Sequence, residues 1–199
     1  MSEGAIRSLF SDSGGSSGIE TARFILRTLQ VADAGATYLN WFSDPVVRRF
    51  IVAAGDTQSL QTLQAFIAEK RASPDAELFG IFVKDSGYHI GNFKFEPIDD
   101  ASHRSIVGVL LGNPAWRGVG VFREIYPRAA QWLFDTRGIR EFWLGIDADN
   151  AAALSSYLRA GFSEAAPPSD LFGHTRSGAI YMTHRLEEEP PELQTSTPP

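Results

Sequence analysis

Cysteine is absent from the 199-residue chain. Its absence removes disulfide staples, thiolate metal ligands and any cysteine-linked covalent intermediate, and it fits a cytoplasmic protein. No apolar run approaches the roughly 20 residues that cross a bilayer. No charged segment followed by an apolar stretch opens the chain in the manner of a secretory leader, so no membrane association is expected. Basic clusters are lacking too. Of the formal net charge of −6, four negative charges lie in residues 187–199 and one in residues 1–18, which leaves about −1 on the body between them. Without a basic stripe, a nucleic-acid partner is not favoured. The histidines, His89, His103, His174 and His184, have no metal-ligand spacing, so no catalytic metal is expected.

What is present suits one compact domain. A hydrophobic content of 43% in a chain of this length can bury a single sizeable core. Residues 1–18, ending in SDSGGSSG, read as a flexible segment, and 187–199, EEEPPELQTSTPP, as an acidic proline-rich tail. Between them, 19–186 form the expected domain. The pattern predicts strands at 23–29, 78–83, 88–96, 105–111, 141–146 and 179–185, with the DSG at 85–87 as a hairpin turn. Helices are predicted at 32–42, 57–72, 120–136 and from Asn150. Hairpins mixed with crossover helices indicate an α/β domain with a mixed, partly antiparallel central sheet flanked by helices.

Two motifs carry chemistry. The first, WRGVGVFRE (116–124), lies between an apolar strand and a helix start. Backbone N–H groups and the helix dipole favour an anion there, Gly118 and Gly120 permit unusual backbone angles, and Arg117 adds a charge suited to phosphate. By itself such a loop is equally a tight turn. It is neither a P-loop nor a dinucleotide fingerprint, since Arg123 stands where the last glycine would be. The second, NAAALSSYLRAGF (150–162), reads as a short helix with Asn150 or Asp149 as N-cap and Gly161 at the left-handed position beyond its end. Seven residues separate Asn150 from Tyr157, close to two turns at about 100° per residue, so both share a face. Leu154 and Leu158 are expected to pack inward. The residues alone also fit a capped surface helix with a half-buried tyrosine.

In this order, the two motifs resemble the GNAT superfamily of acyl-CoA-dependent N-acetyltransferases, over about residues 23–185. That family's Arg/Gln-x-x-Gly-x-Gly/Ala loop maps to Arg117, Gly118, Val119, Gly120, Val121 and Phe122, and its Asn…Tyr…Gly-Phe helix to Asn150, Tyr157, Gly161 and Phe162. The segment YLNWFSDPVVRRF (38–50) is similar to the first helix of the branch containing ribosomal-protein N-terminal and amino-sugar acetyltransferases. The resemblance implies a coenzyme A diphosphate held by the 117–122 loop, with acetyl-CoA as co-substrate. It also implies Asn150 on the pantetheine and Tyr157 as the proton donor to the departing thiolate. A bulge in the strand before the loop would bare backbone amides near Leu110 and Leu111 for the thioester oxygen. Two departures carry structural expectations. Phe122, where the family has Gly or Ala, places bulk beside the diphosphate. Pro127 predicts a kink or a broken turn in the following helix.

Where many relatives carry a glutamate base, this chain has Ile106. Glu96 and His103 are the leading substitutes and His174 a third; a water relay needs none of them. Trp41, Arg48 and His174 are candidates for acceptor contact, with surface or core roles as the alternatives. The expected activity is transfer of acetyl to a primary amine, whether an amino sugar, another small amine or a peptide N-terminus. The rivals are an acyl-CoA-binding regulatory or scaffold protein without turnover, and a nucleotide-binding protein using the same loop. The oligomeric state is left open, a homodimer included.

Overall fold

The computed structural model describes residues 18–50 and 59–187. Nearly all of the expected tails, and the start of the helix predicted at 57–72, lie outside the described residues. Among the described residues, eight strands form one sheet: β1 (Ile19–Glu20), β2 (Phe24–Thr28), β3 (Glu77–Val83), β4 (His89–Asp99), β5 (Arg104–Leu111), β6 (Glu141–Asp147), β7 (Ser163–Glu164) and β8 (Ala179–Arg185). Their spatial order is β1-β2-β3-β4-β5-β6-β8-β7. Every pairing is antiparallel except β5 with β6, which are joined by a crossover helix. The helices are α1 (Ala36–Trp41), α2 (Pro45–Phe50), α3 (Leu60–Ala72), α4 (Val121–Arg137), α5 (Ala151–Leu158) and the single turn α6 (Ser169–Phe172).

Strand alternation divides the side chains between two cores. On one face, Phe79, Ile81, Phe93, Phe95, Val107, Phe142 and Leu144 pack against α4, whose Val121, Phe122, Ile125, Tyr126, Ala129, Ala130 and Leu133 make a continuous apolar stripe. On the other, Leu78 and Phe82 meet Tyr38 and Trp41 of α1 and Leu63 and Ile67 of α3. The predicted helix at 32–42 is divided: a 3₁₀ turn at Val31–Asp33 precedes α1, because Gly35 is extended at its N-cap.

Several expectations are corrected. The helix is not broken at Pro127; α4 runs through it. Pro127 and Arg123 both lie on the exposed side, where water can satisfy the freed carbonyl, while the buried stripe anchors the turns before and after. Leu158 is 54% exposed, because Tyr157 takes the inward position beside Leu154. The Phe162 amide donates to the Tyr157 carbonyl and the Gly161 amide to the Leu158 carbonyl, closing α5 with Gly161 at φ 93°. The extra residue lies in β4 rather than in the strand before the glycine loop: Phe95 pairs with Val107, but Ile98 with Ser105.

A polar pair lies beneath the larger core. The Tyr126 hydroxyl and His184 Nδ1 are 2.7 Å apart, and burial lowers the histidine's pKa below its ordinary value. Burial lowers His89 as well, only partly offset by its hydrogen bond with Asn92. Both histidines therefore fold neutral. Their contribution is intact above the ordinary histidine pKa, about 6.5, and is lost as acid protonates the unfolded chain in preference. Melting temperature should fall between pH 7 and pH 5, and His184→Asn, which keeps a polar partner for Tyr126, should flatten that slope. An unchanged slope in scanning calorimetry would count against this coupling.

Candidate active site

The site begins where the sheet opens. β5 and β6 pair only over Arg104–Ile106 and Glu141–Trp143; beyond that, β5 has no strand partner on its β6 side among the described residues. The Gly112 amide donates to the Ile90 carbonyl across the ladder with β4. Neighbouring amides in an antiparallel strand alternate sides, so the Leu110 amide also faces β4. Those of Val109 and Leu111 face the gap. Of the two amides expected at the opening, that of Leu111 faces the gap and that of Leu110 does not, though Leu110 lines both cavities; the Val109 amide faces the gap instead, a consequence of register that composition cannot show.

Two cavities flank this opening. The first, about 710 Å³, is lined by Val109 and Leu111, the 117–123 loop, and Asn150, Ala153 and Tyr157 around α5. The second, about 620 Å³, lies under α1 and α3 and is lined by Tyr38, Phe42, Phe66, Asn92, Ile106 and Asp147, among others. Asn150 and Tyr157 line both. They therefore mark the junction through the sheet.

The glycine loop is shaped by its backbone and clamped from both sides. Gly118 and Gly120 have φ of 73° and 81°, and Gly120 is the N-cap of α4. A Cβ would meet nothing within 4 Å at Gly118, and only the Arg123 guanidinium at 3.8 Å from Gly120. The requirement is conformational, not steric. Arg117 lines the cavity, but its side chain is engaged elsewhere: it donates to the carbonyls of Leu111 and Gly112 and pairs with Asp44 at 2.7 Å. Across the loop, Arg23 donates to the Val119 carbonyl and pairs with Glu124, which also accepts from the Thr21 hydroxyl. Burial would raise the Glu124 carboxyl, but the Arg23 amide and Thr21 hydroxyl bonds, then the Arg23 charge, hold it below the usual glutamate value. The cations lining the first cavity without an ion pair among the described residues are Arg123 and Arg159, both exposed. Sequence reasoning missed both; Arg123 entered it only as a missing glycine.

Phe122 does not crowd the loop. Its ring is 4% exposed, stacks on Tyr126 at 5.1 Å and meets the Tyr157 ring edge-on at 4.7 Å. It is the wall against which Tyr157 is held. Burial pushes the Tyr157 phenol up to about 12, and among the described residues no group shares a hydrogen bond with its hydroxyl. The Asn150 side-chain oxygen accepts from the Ala153 amide at 3.2 Å, so it caps α5 while its amide nitrogen remains at the junction.

The remaining predicted residues are dispersed. Glu96 lines the second cavity, held by Lys70 at 2.6 Å and Lys94 at 2.7 Å. Burial raises its carboxyl, but the two lysines outweigh that and lower it, which disfavours a base. His103 lies at the opposite end of β5, roughly 20 Å from Leu110 at about 3.3 Å per residue; it is exposed and lines neither cavity. His174 is exposed, and its loop reaches the second cavity through Arg176 instead. Arg48 points into solvent, whereas Val46 and Val47 of α2 line the first cavity. Trp41 is core: its indole lies on Gly112, where a Cβ would overlap the ring, and 4.8 Å from His89. Asp147 was not singled out from the sequence, although its place three residues before Asn150 was a usable signal.

Gly118→Ala and Gly120→Ala should each lower stability by about 1–2 kcal/mol, the cost of a Cβ in left-handed backbone. Urea unfolding at constant m-value checks this. Arg117→Lys should not restore the wild-type midpoint, because an ammonium cannot reproduce the fork that reaches Leu111, Gly112 and Asp44 together.

Comparison with known proteins identifies the family. Residues 23–163 match the family model described as the acetyltransferase (GNAT) domain. An uncharacterized N-acetyltransferase of Bacillus subtilis, YoaA, is 26% identical over 151 residues, spanning 73% of this chain and 82% of that protein. Another from Bacillus licheniformis, p20, is 25% identical over 136 residues, 67% and 75% of the two chains. Among solved structures, RimL, a ribosomal-protein alpha-N-acetyltransferase in complex with coenzyme A, superposes with a TM-score of 0.71 at 14% identity, covering 85% of this chain and 98% of that one. Spermidine N-acetyltransferase from Vibrio cholerae, in complex with CoA and spermine, gives 0.68 at 17% identity, covering 81% and 95%. The chain is a member of the GNAT family of N-acetyltransferases.

Proposed function

We propose that this protein transfers an acetyl group from acetyl-CoA directly to a primary amine, with no covalent acyl-enzyme. The observation that carries this reading is the meeting of two cavities, from opposite faces of the sheet, at Tyr157 and the open edge of β5. The first cavity would take the coenzyme. Amides of the 119–122 turn, at the positive end of α4, face the diphosphate, and Arg123 and Arg159 supply charge toward its phosphates. The Asn150 amide nitrogen is placed to donate to the pantetheine arm. The second cavity takes the amine.

The chemistry then needs few groups. The amides of Val109 and Leu111 donate to the thioester oxygen as it gains charge during attack. As the C–N bond forms and the C–S bond breaks, the Tyr157 hydroxyl gives its proton to the departing thiolate. A phenol pushed up to about 12 stays protonated throughout the neutral range and is suited to that task. With Ile106 apolar and Glu96 bound to two lysines, the amine's proton leaves through water. The same two residues favour a second reading, a protein that binds acyl-CoA without turnover.

A thermal-shift series with coenzyme A tests the binding half. Ligand at about 100 times its dissociation constant adds about 2.7 kcal/mol, a rise of roughly 5–10 °C for a domain of this size. No rise with coenzyme A, but one with ATP or NAD, would sink the reading. Thiol release across an amine panel tests turnover. Tyr157→Phe should lower kcat about 100-fold or more with the fold intact; wild-type rates in that variant would remove the role given to the hydroxyl.

A further inference from the structure

The charges that line the second cavity bear on which amine it takes. Along β6, Phe142 and Leu144 face the α4 side, so alternation places Gly145 and Asp147 on the opposite face with α1 and α3. Asp147 lines the second cavity close to the junction, since the Asn150 amide donates to its carbonyl at 2.9 Å. One carboxylate oxygen accepts the Asp149 amide at 3.0 Å, and the group has no ion pair among the described residues. The cavity's other carboxylate, Glu96, is already shared between Lys70 and Lys94. Arg176 adds a further positive charge at the rim, and its guanidinium has no partner among the described residues. The rest of the wall is mixed: Tyr38, Phe42, Phe66, Leu63 and Leu78 form an apolar side, while Thr62, Asn92, Asn150 and Tyr157 carry neutral polar groups.

The geometry points to Asp147 as the counter-ion that docks the acceptor's ammonium, and to an acceptor with one positive charge and an apolar body of aromatic size. A second cationic group would find Lys94 and Arg176 rather than a free carboxylate, so a polyamine is disfavoured. An amino sugar, which carries hydroxyls all round its ring, would leave those on the Phe42, Phe66 and Leu63 side without partners, whereas an aromatic body suits that side. This assignment rests on the acetyl-transfer reading above and refines its acceptor half.

The test uses the full chain, acetyl-CoA and three probes: 2-phenylethylamine, spermidine and glucosamine. The expected result is a kcat/KM for 2-phenylethylamine at least ten times that of either other amine, by thiol release. Asp147→Asn retains an acceptor for the Asp149 amide. It should raise the KM for 2-phenylethylamine about 10- to 100-fold and leave the KM for acetyl-CoA and the melting shift with coenzyme A unchanged. Preference for spermidine, equal use of glucosamine, or an unchanged amine KM in Asp147→Asn would overturn the assignment. If no amine turns over, the melting shift with 2-phenylethylamine in the presence of coenzyme A is the readout. No shift in the wild type, or an equal shift in Asp147→Asn, overturns it equally. Loss of the coenzyme A shift itself would instead sink the earlier reading.

Discussion

The parting of β5 from β6 after Ile106 is the constraint on which the rest depends. A continuous sheet is a wall: its amides are paired and its two faces are separate compartments. Ending the pairing after three residues frees the amides of Val109 and Leu111 and opens a passage between the faces. The α4 crossover then places the glycine loop at one mouth of the passage, and α5 places Tyr157 inside it.

Charge is arranged around that opening in an unexpected division of labour. Arg117 and Arg23, the arginines closest in sequence or contact to the loop backbone, hold its shape through carbonyls and carboxylates. Arg123 and Arg159, further along α4 and at the end of α5, face the cavity instead. A guanidinium already bound to two carbonyls and an aspartate makes a rigid frame for the loop backbone. Phe122 belongs to the same logic. Its ring turns inward to wall Tyr157, so a bulky residue in a glycine-like position is taken up by the core.

Much of the fold was legible because its signals are local. The glycines at 118, 120 and 161, the Asn150 cap and the stripe along α4 each report a backbone angle, a hydrogen bond or a period that neighbouring residues set. Pro127 misled for the same reason: a local rule predicts a break, but the exposed position and the buried turns on either side keep α4 continuous. His103, His174, Trp41 and Arg48 line neither cavity, for a different reason. Their side-chain chemistry is suitable, but chemistry does not reveal where a loop or a helix face points.

The sequence by itself determined the family, the two motifs and the layered α/β plan, since these depend on residue types at short, fixed separations. Only the tertiary structure decided which amides face the gap and which arginines are without an ion pair among the described residues, and that Asp147 rather than a histidine or Glu96 is without one in the second cavity. Those outcomes depend on strand register and on partners tens of residues away, Asp44 for Arg117 and Lys70 for Glu96 among them. Long-range pairing assigns each charged group its neighbour, and the neighbour sets what the group can do.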